Sequence, residues 1–291
     1  MSAYIDAYRG RFGVEPICSV LGVSASAYYQ RKTGARSRRV VEDERLLVLI
    51  RELHLANYEA YGSRKTWLAL RRAGHEVGRD RVARLMRKAG IRGAKGRTKR
   101  WQTTQPELVR RLPDLVERRF EAAGPDELWV ADFTYLRSWQ GVVFLSFVID
   151  VWSRRVVGWQ FASNMRTSLV LDALRMALSQ RRGGADVELV HHSDRGSQYL
   201  SYDYTQVLAD HGVLASCGSV GDAYDNALAE SFVDTIKTEL IRDRVWRTQS
   251  QLELAIVAYI GWYNHERLHE ALGDMPPAEY EAPALTETLR D

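Results

Sequence analysis

Cysteine is nearly absent: Cys18 and Cys217 are the only two in 291 residues, and neither has a CxxC or HxxxH companion. That count and spacing argue against a disulfide framework and against a structural zinc site, leaving both thiols as packing residues. Long apolar runs are missing as well. The longest, Val142 to Trp152, is broken by Ser146 and Asp150 and falls short of the roughly 18 to 20 residues a membrane span needs. The first ten residues, MSAYIDAYRG, carry charge and aromatics where an export signal would carry an apolar stretch, so a cytoplasmic protein without a membrane partner is expected. Internal repeats and low-complexity tracts are also lacking. What is present is an ordinary globular composition, 45% hydrophobic and 27% charged, in a chain long enough for two domains.

The net charge of +4 conceals an asymmetry. Up to Arg111 the chain holds 25 Lys and Arg against 10 Asp and Glu; the remainder holds 16 against 27. A basic part followed by an acidic part suits a protein that grips a polyanion with the first and holds metal cations with the second. A solvated arginine-rich helical surface is the plainer alternative.

Hydrophobic periodicity divides the chain into candidate units. Glu15 to Arg31 reads as a short helix (Ile17 to Leu21), a turn at Gly22 and a second helix capped by Ser24, which is helix-turn-helix grammar. Asp43 to Ala56, Ser63 to Ala73 and Asp80 to Ala89 are three further helical segments, with Ser63 and Asp80 as N-caps and Gly74 and Gly90 as terminators. On the third, Arg81, Arg84 and Lys88 share a face opposite Val82, Leu85 and Met86, which makes them candidate phosphate contacts. Arg92 to Arg111 is rich in Arg, Lys, Gly, Thr and Gln and reads as a basic linker that orders on DNA. From Leu128 the pattern becomes that of strands: LWVADFTYL, VVFLSFVIDVWS and RRVVGWQFAS, then a helix from Ser168 to Gln180, a strand at VELVHHSD, a helix from Tyr202 to Asp210 and a fifth strand from Val213 to Ser216. This order predicts an α/β class, a ribonuclease-H-like core with a five-stranded mixed sheet and flanking helices, preceded by an all-α helix-turn-helix region. The expected domains are 1–36 (helix-turn-helix segment), 43–91 (helical DNA-binding bundle), 92–124 (basic linker), 125–272 (catalytic core with C-terminal helices) and 273–291 (tail).

Three acidic residues stand out. Asp132 lies inside a strand, where an unpaired carboxylate is costly to desolvate. Asp194 ends the fourth strand in LVHHSDRGSQY. Taken singly, Asp132 could pair with an arginine and Asp194 could cap the following turn. Glu230 sits on a helix opened by Asp225 or Asn226, at the rim of an arc made by Phe232, Val233, Ile236 and Leu240, from which it can lean over the sheet edge. Convergence of the three would create a site for hard divalent cations, Mg²⁺ or Mn²⁺, and two such ions suit phosphoryl transfer. Arg195 and Gly196 would let the next turn approach a phosphate backbone.

Asp194 and Glu230 are separated by 35 residues, and this spacing resembles the DD(35)E signature of insertion-sequence transposases and retroviral integrases. WVADFTY, IDVWSRRVVGW, HHSDRGSQY, YDNALAESF and YNHERLH resemble the OrfB product of insertion-sequence family three, and the likeness extends through YGSRKTWLALRR and VARLMRKAGI to nearly the whole chain. SCGSVGDAYDNA departs from the SMSRKG wording commonest in that family. The resemblance implies an integrase-type core with catalytic, metal-binding roles for Asp132, Asp194 and Glu230, two Mg²⁺ or Mn²⁺ ions, and a DNA contact at Lys237, two helical turns beyond Glu230; an ion pair with Asp234 is that lysine's plainer role. It makes Arg64 and Lys65 further candidate DNA contacts. It implies cleavage at the 3′ ends of an element, joining of the freed 3′-hydroxyl to target DNA, a homo-oligomer on the terminal inverted repeats, and partnership with an upstream-frame OrfA product or a fused OrfAB, nucleoid-associated when DNA-bound. A non-catalytic DNA-binding regulator of the fused transposase is the alternative, and a simple nuclease of the same fold a third reading.

Overall fold

The structure, a computed structural model, describes residues 1–34, 36–95, 112–117, 119–181, 188–194, 196–218 and 226–288. Most of the basic linker, Arg195 and Asp225 lie outside them. The chain divides into two compact units, Met1–Gly93 and Ala94–Asp291. Among the described residues no helix is long and apolar enough to cross a membrane.

The first unit is all-helical: α1 (Ser2–Phe12), α2 (Val14–Val20), α3 (Ala25–Lys32), α4 (Arg38–Ala56), α5 (Ser63–Arg72) and α6 (Arg79–Lys88). Ile5, Val14, Ile17, Cys18 and Tyr28 make one core; Leu46, Ile50, Leu70, Val82, Leu85 and Met86 make another. Between α2 and α3 the chain turns at Gly22, whose φ of 64° strains any side chain. Ser24 then caps α3 by accepting the Ala27 amide at 3.3 Å. Helix α4 starts earlier than its apolar pattern suggests, at Arg38, because the Ser37 hydroxyl caps it and an Arg38–Glu42 pair at 2.9 Å spans its first turn. Ser63 and Asp80 are not N-caps: Gly62 and Gly78 hold the extended backbone there, placing Ser63 and Asp80 inside their helices.

The second unit is built on one sheet, in the order β3-β2-β1-β4-β5. Its strands are β1 (Leu128–Ser138), β2 (Gly141–Asp150), β3 (Val156–Ala162), β4 (Val190–Ser193) and β5 (Leu214–Cys217). β1, β2 and β3 form an antiparallel meander. β4 pairs in parallel with both β1 and β5, and such pairing requires crossover connections: α7 (Thr167–Gln180) precedes β4 and α8 (Tyr202–Asp210) precedes β5. This is the five-stranded mixed sheet with flanking helices expected from the order of elements. Downstream come α9 (Ala227–Ile236), a π-helical turn (Lys237–Ile241), α10 (Gln249–His265) and α11 (Pro277–Thr288). The expected tail is thus largely helix, because α11 carries Glu281 into the core against two arginines and sets Tyr280 against Trp152, ring centroids 4.8 Å apart.

Packing, more than capping, fixes α7. No side chain caps it, yet Leu169, Val170, Leu171 and Leu174 are buried, each contributing about 1.5–3 kcal/mol, which exceeds the roughly 1 kcal/mol a good cap supplies. The close approach depends on Gly158 of β3: a Cβ there would collide with the Ala173 carbonyl oxygen and stand 2.8 Å from the Ala177 Cβ. Gly158→Ala is expected to cost about 3 kcal/mol, read as a lower urea midpoint with unchanged m-value; an unaltered midpoint would show that α7 yields freely.

Candidate active site

β1 is the central strand, and its buried run Leu128–Ala131 gives way to partial exposure at Asp132. Its parallel pairing with β4 ends at the Ala131↔Ser193 pair. Asp132 and Asp194 are the next residues on the two strands, so their carboxylates occupy the point where the ladder stops, at the carboxyl end of β4. In an α/β sheet this is where crevices open. Asp132 Oδ1 accepts the Phe133 amide at 2.7 Å, and Asp194 Oδ1 accepts the Gly196 amide at 3.0 Å. A Cβ on Gly196 would crowd that same Asp194 oxygen, so the glycine after the strand permits the turn.

Helix α9 supplies the third acid. Asn226 stands at its start and donates from Nδ2 to the Ala131 carbonyl at 2.9 Å, tying the helix to the residue before Asp132. Leu228, Ala229, Phe232 and Ile236 face the core, with Phe232 against Phe147 of β2. Glu230 is left half-buried beside that face, as its helical phase requires. Val233, expected in the buried arc, is only half-buried.

The electrostatics tie these groups together. Burial pushes the Asp132 carboxyl up to about 7; the charge of Asp194 and, more weakly, that of Glu230 push the same way, while the Phe133 amide and Lys237 oppose. Asp194, exposed as a residue, also has its carboxyl raised by desolvation, against the Gly196 amide and His192. No arginine pairs with Asp132 among the described residues; its charged neighbours are two acids and a lysine. Asp132 and Asp194 therefore both hold their protons more tightly than isolated carboxylates do. Among the described residues, however, no three His, Cys, Asp or Glu side chains stand close enough to hold a metal ion together. Asp132 and Asp194 are adjacent, and the charge of Glu230 reaches Asp132 from its helix. The carboxylates of Asp132 and Asp194, side by side where the ladder ends, offer the oxygen donors that a hard divalent cation takes.

The side chains of the two histidines before Asp194 are hydrogen-bonded into the core. His191 meets the Tyr204 hydroxyl at 3.0 Å and His192 the Ser216 hydroxyl at 2.9 Å, both inside the core, and burial lowers His191 to about 4. Lys237 opens the π-helical turn after α9 and lies over the Tyr135 ring, 5.2 Å from its centroid. Of the other expected DNA contacts, Arg81 and Arg84 both bind Asp43 of α4, at 2.7 and 2.6 Å. Helix packing thus brings Asp43 against both arginines, while Arg84 remains exposed. Lys88 is exposed and Arg64 half-buried, Lys65 lies 5.7 Å from the Tyr61 ring centroid, and Arg195 falls outside the described residues.

Several residues that shape this region left little trace in the sequence. Asp150, fully buried, accepts from the Ser153 amide and hydroxyl at 2.7 and 2.8 Å and from the Asp126 amide at 2.8 Å; its spacing from Ser153 was the available signal. Asn264 bridges α10 to β3 by giving and taking hydrogen bonds with Val156, both 2.9 Å.

Residues 122–223 and 211–277 match family models of an integrase core domain, and residues 42–100 match an HTH-like domain. The chain is 44% identical, over 97% of its length and 95% of the relative's, to the transposase for insertion sequence element IS629 of Shigella sonnei. A relative assigned to IS986/IS6110 of Mycobacterium tuberculosis is 44% identical over 89% of this chain and 95% of its own. Transposase InsF for insertion sequence IS3A of Escherichia coli is 32% identical over 96% and 97%.

Proposed function

The chain belongs to the family of insertion-sequence transposases that includes those of IS629 and IS3A, and on that premise we propose that it cuts DNA at the ends of an insertion sequence and joins the freed 3′ ends to target DNA, using Asp132, Asp194 and Glu230. The observation that carries the reading is the adjacency of Asp132 and Asp194 at the end of the β1–β4 ladder, with the charge of Glu230 felt at Asp132. An integrase core is the fold of a metal-dependent polynucleotidyl transferase. Asp132 and Asp194 would hold Mg²⁺ or Mn²⁺, with Glu230 completing the set. Two such ions, if held there, would activate a water or 3′-hydroxyl and stabilise the leaving oxygen.

The rest of the chemistry belongs to the chain itself. The Asn226 tether fixes the start of α9, and with it the reach of Glu230 toward the strands. Lys237, close enough to act on Asp132, offers a cation to the phosphate beside the site. The buried neutral His191 keeps the floor behind Asp194 free of competing charge. In this reading the HTH-like unit contacts the terminal repeats, a homo-oligomer brings two ends together, and the upstream-frame product or a fusion with it completes end recognition.

The deciding assay uses purified chain, Mg²⁺ or Mn²⁺, and a labelled element-end oligonucleotide. Nicked and joined products are expected. Binding without nicking would favour a non-catalytic regulator, and cutting without joining would favour a simple nuclease.

A further inference from the structure

Two stretches singled out in the sequence, IDVWSRRVVGW and YNHERLH, have no role in the acidic site, yet the fold brings them to one cleft. It measures about 450 Å³ and lies against α9, on the side carrying Ser231 and Thr235; Phe120, Arg154, Tyr263, Arg267 and His269 contribute to its walls. Most of its polar lining is already committed. Arg267 is bound in bidentate fashion to Glu239, at 2.9 and 2.7 Å, and stacks over Tyr263, whose ring also meets His269 edge-on.

Of the two arginines in the lining Arg154 is the uncommitted one; an exposed carboxylate, Glu270, also lines the cleft. Arg154 is half-buried, and among the described residues its guanidinium has no ion-pair or hydrogen-bond partner. Burial pushes it below the ordinary arginine range, against the smaller opposing influence of Tyr263 and Asp150. An arginine stays charged even so, and a partly desolvated cation without an anion is costly. Its backbone is strained too: φ is 61°, a left-handed conformation that disfavours a long side chain. The turn is held in that shape from below by Asp150, through the Ser153 bonds and the Arg154 amide donating to the Asp150 carbonyl at 2.9 Å. A guanidinium without a hydrogen-bond or ion-pair partner among the described residues, in a strained turn at the wall of a cleft, is arranged to receive an anion.

We propose that this cleft is a second DNA-contact site, in which Arg154 binds a backbone phosphate of the strand processed beside α9. The inference rests on the transposase reading for its ligand class. A phosphodiester suits a guanidinium fork, and a cleft of this volume admits a single nucleotide unit.

Two substitutions test it in the full-length chain. Arg154→Gly removes the cation and relieves the positive φ, so its thermal midpoint is expected to stay within about 2 °C of the parent. Its affinity for a labelled element-end oligonucleotide should fall roughly five- to tenfold near 0.1 M salt, and the slope of log K against log salt should shrink by about 0.7–0.9, the signature of one lost phosphate contact. Arg154→Lys should lie between. Unchanged affinity and slope in Arg154→Gly would overturn the proposal, as would competition by polyglutamate as strong as by oligonucleotide. If the parent chain neither nicks nor joins DNA but Arg154→Gly still loses affinity, the contact site stands and the transposase reading falls.

Discussion

Asp132→Asn is expected to abolish strand transfer and, in the same molecule, to stabilise the fold. For catalysis, removing one carboxylate from a set that must hold divalent cations should lower transfer by at least about 10³-fold; Asp194→Asn and Glu230→Gln should do the same, with binding to the element end retained. For stability, the sign follows from the carboxyl of Asp132, lifted from an ordinary 3.8 to about 7. Below about pH 4 both folded and unfolded chains are protonated there, and the group is neutral in its effect. As pH rises from 4 to 7 the unfolded chain ionises first, so the folded state loses stability through that window and carries the whole penalty above it. Asparagine never ionises. The variant should therefore match the parent near pH 3.5–4 and exceed it by about 2–4 kcal/mol at pH 8 in EDTA, after allowance for solvent screening. That is a rise of the order of 5–10 °C in thermal midpoint. Added Mg²⁺ should raise the parent midpoint and leave that of the variant nearly unmoved. A variant no more stable than the parent at pH 8 would mean that Asp132 is not held against its charge; one transferring within tenfold of the parent would remove it from the catalytic set.

Glu281→Ala is expected to be among the most destabilising single changes in the second unit. Glu281 is fully buried on α11, and its two oxygens take Arg155 at 2.7 Å and Arg181. Arg181 also reaches Asp126 at 3.4 Å, whose amide donates to Asp150. Deleting the acid leaves Arg181, itself nearly buried, without its main counter-charge, and breaking such a pair costs about 3–5 kcal/mol. The midpoint should fall by roughly 8–15 °C. Replacing Glu281 by Leu and Arg181 by Met together should recover much of that loss, since a buried ion pair exchanged for apolar groups is often neutral. If the double variant is no better than Glu281→Ala, the network holds α11 by geometry and not by charge balance.

The sheet was legible in the sequence, and each of the three acids proposed for the site leaves a local mark. A carboxylate inside LWVADFTYL or at the end of VELVHHSD is conspicuous where burial is expected, and Glu230 declares its face through helical phase with Phe232 and Ile236. What stayed hidden depends on partners remote in the chain. Nothing near Arg81 and Arg84 tells that Asp43, 38 and 41 positions earlier, will pair with both. Nothing in PAEYEA reveals that Glu281 is destined for the interior, because the two arginines that make it tolerable lie 126 and 100 positions earlier. The strain at Arg154 is equally silent, being a property of the turn imposed by Asp150 and Ser153.

The Asn226 tether to Ala131 joins points 95 positions apart, and its span has a consequence for synthesis. A ribosome delivers β1 long before α9, and contacts of such separation form late, after the intervening loop has closed. Throughout that interval the nascent chain holds the strand that carries Asp132 without the helix that carries Glu230. On the proposed three-acid reading, fragments released early or truncated before α9 would lack one of the acids, and the capacity to break DNA would arrive only with a nearly finished polypeptide.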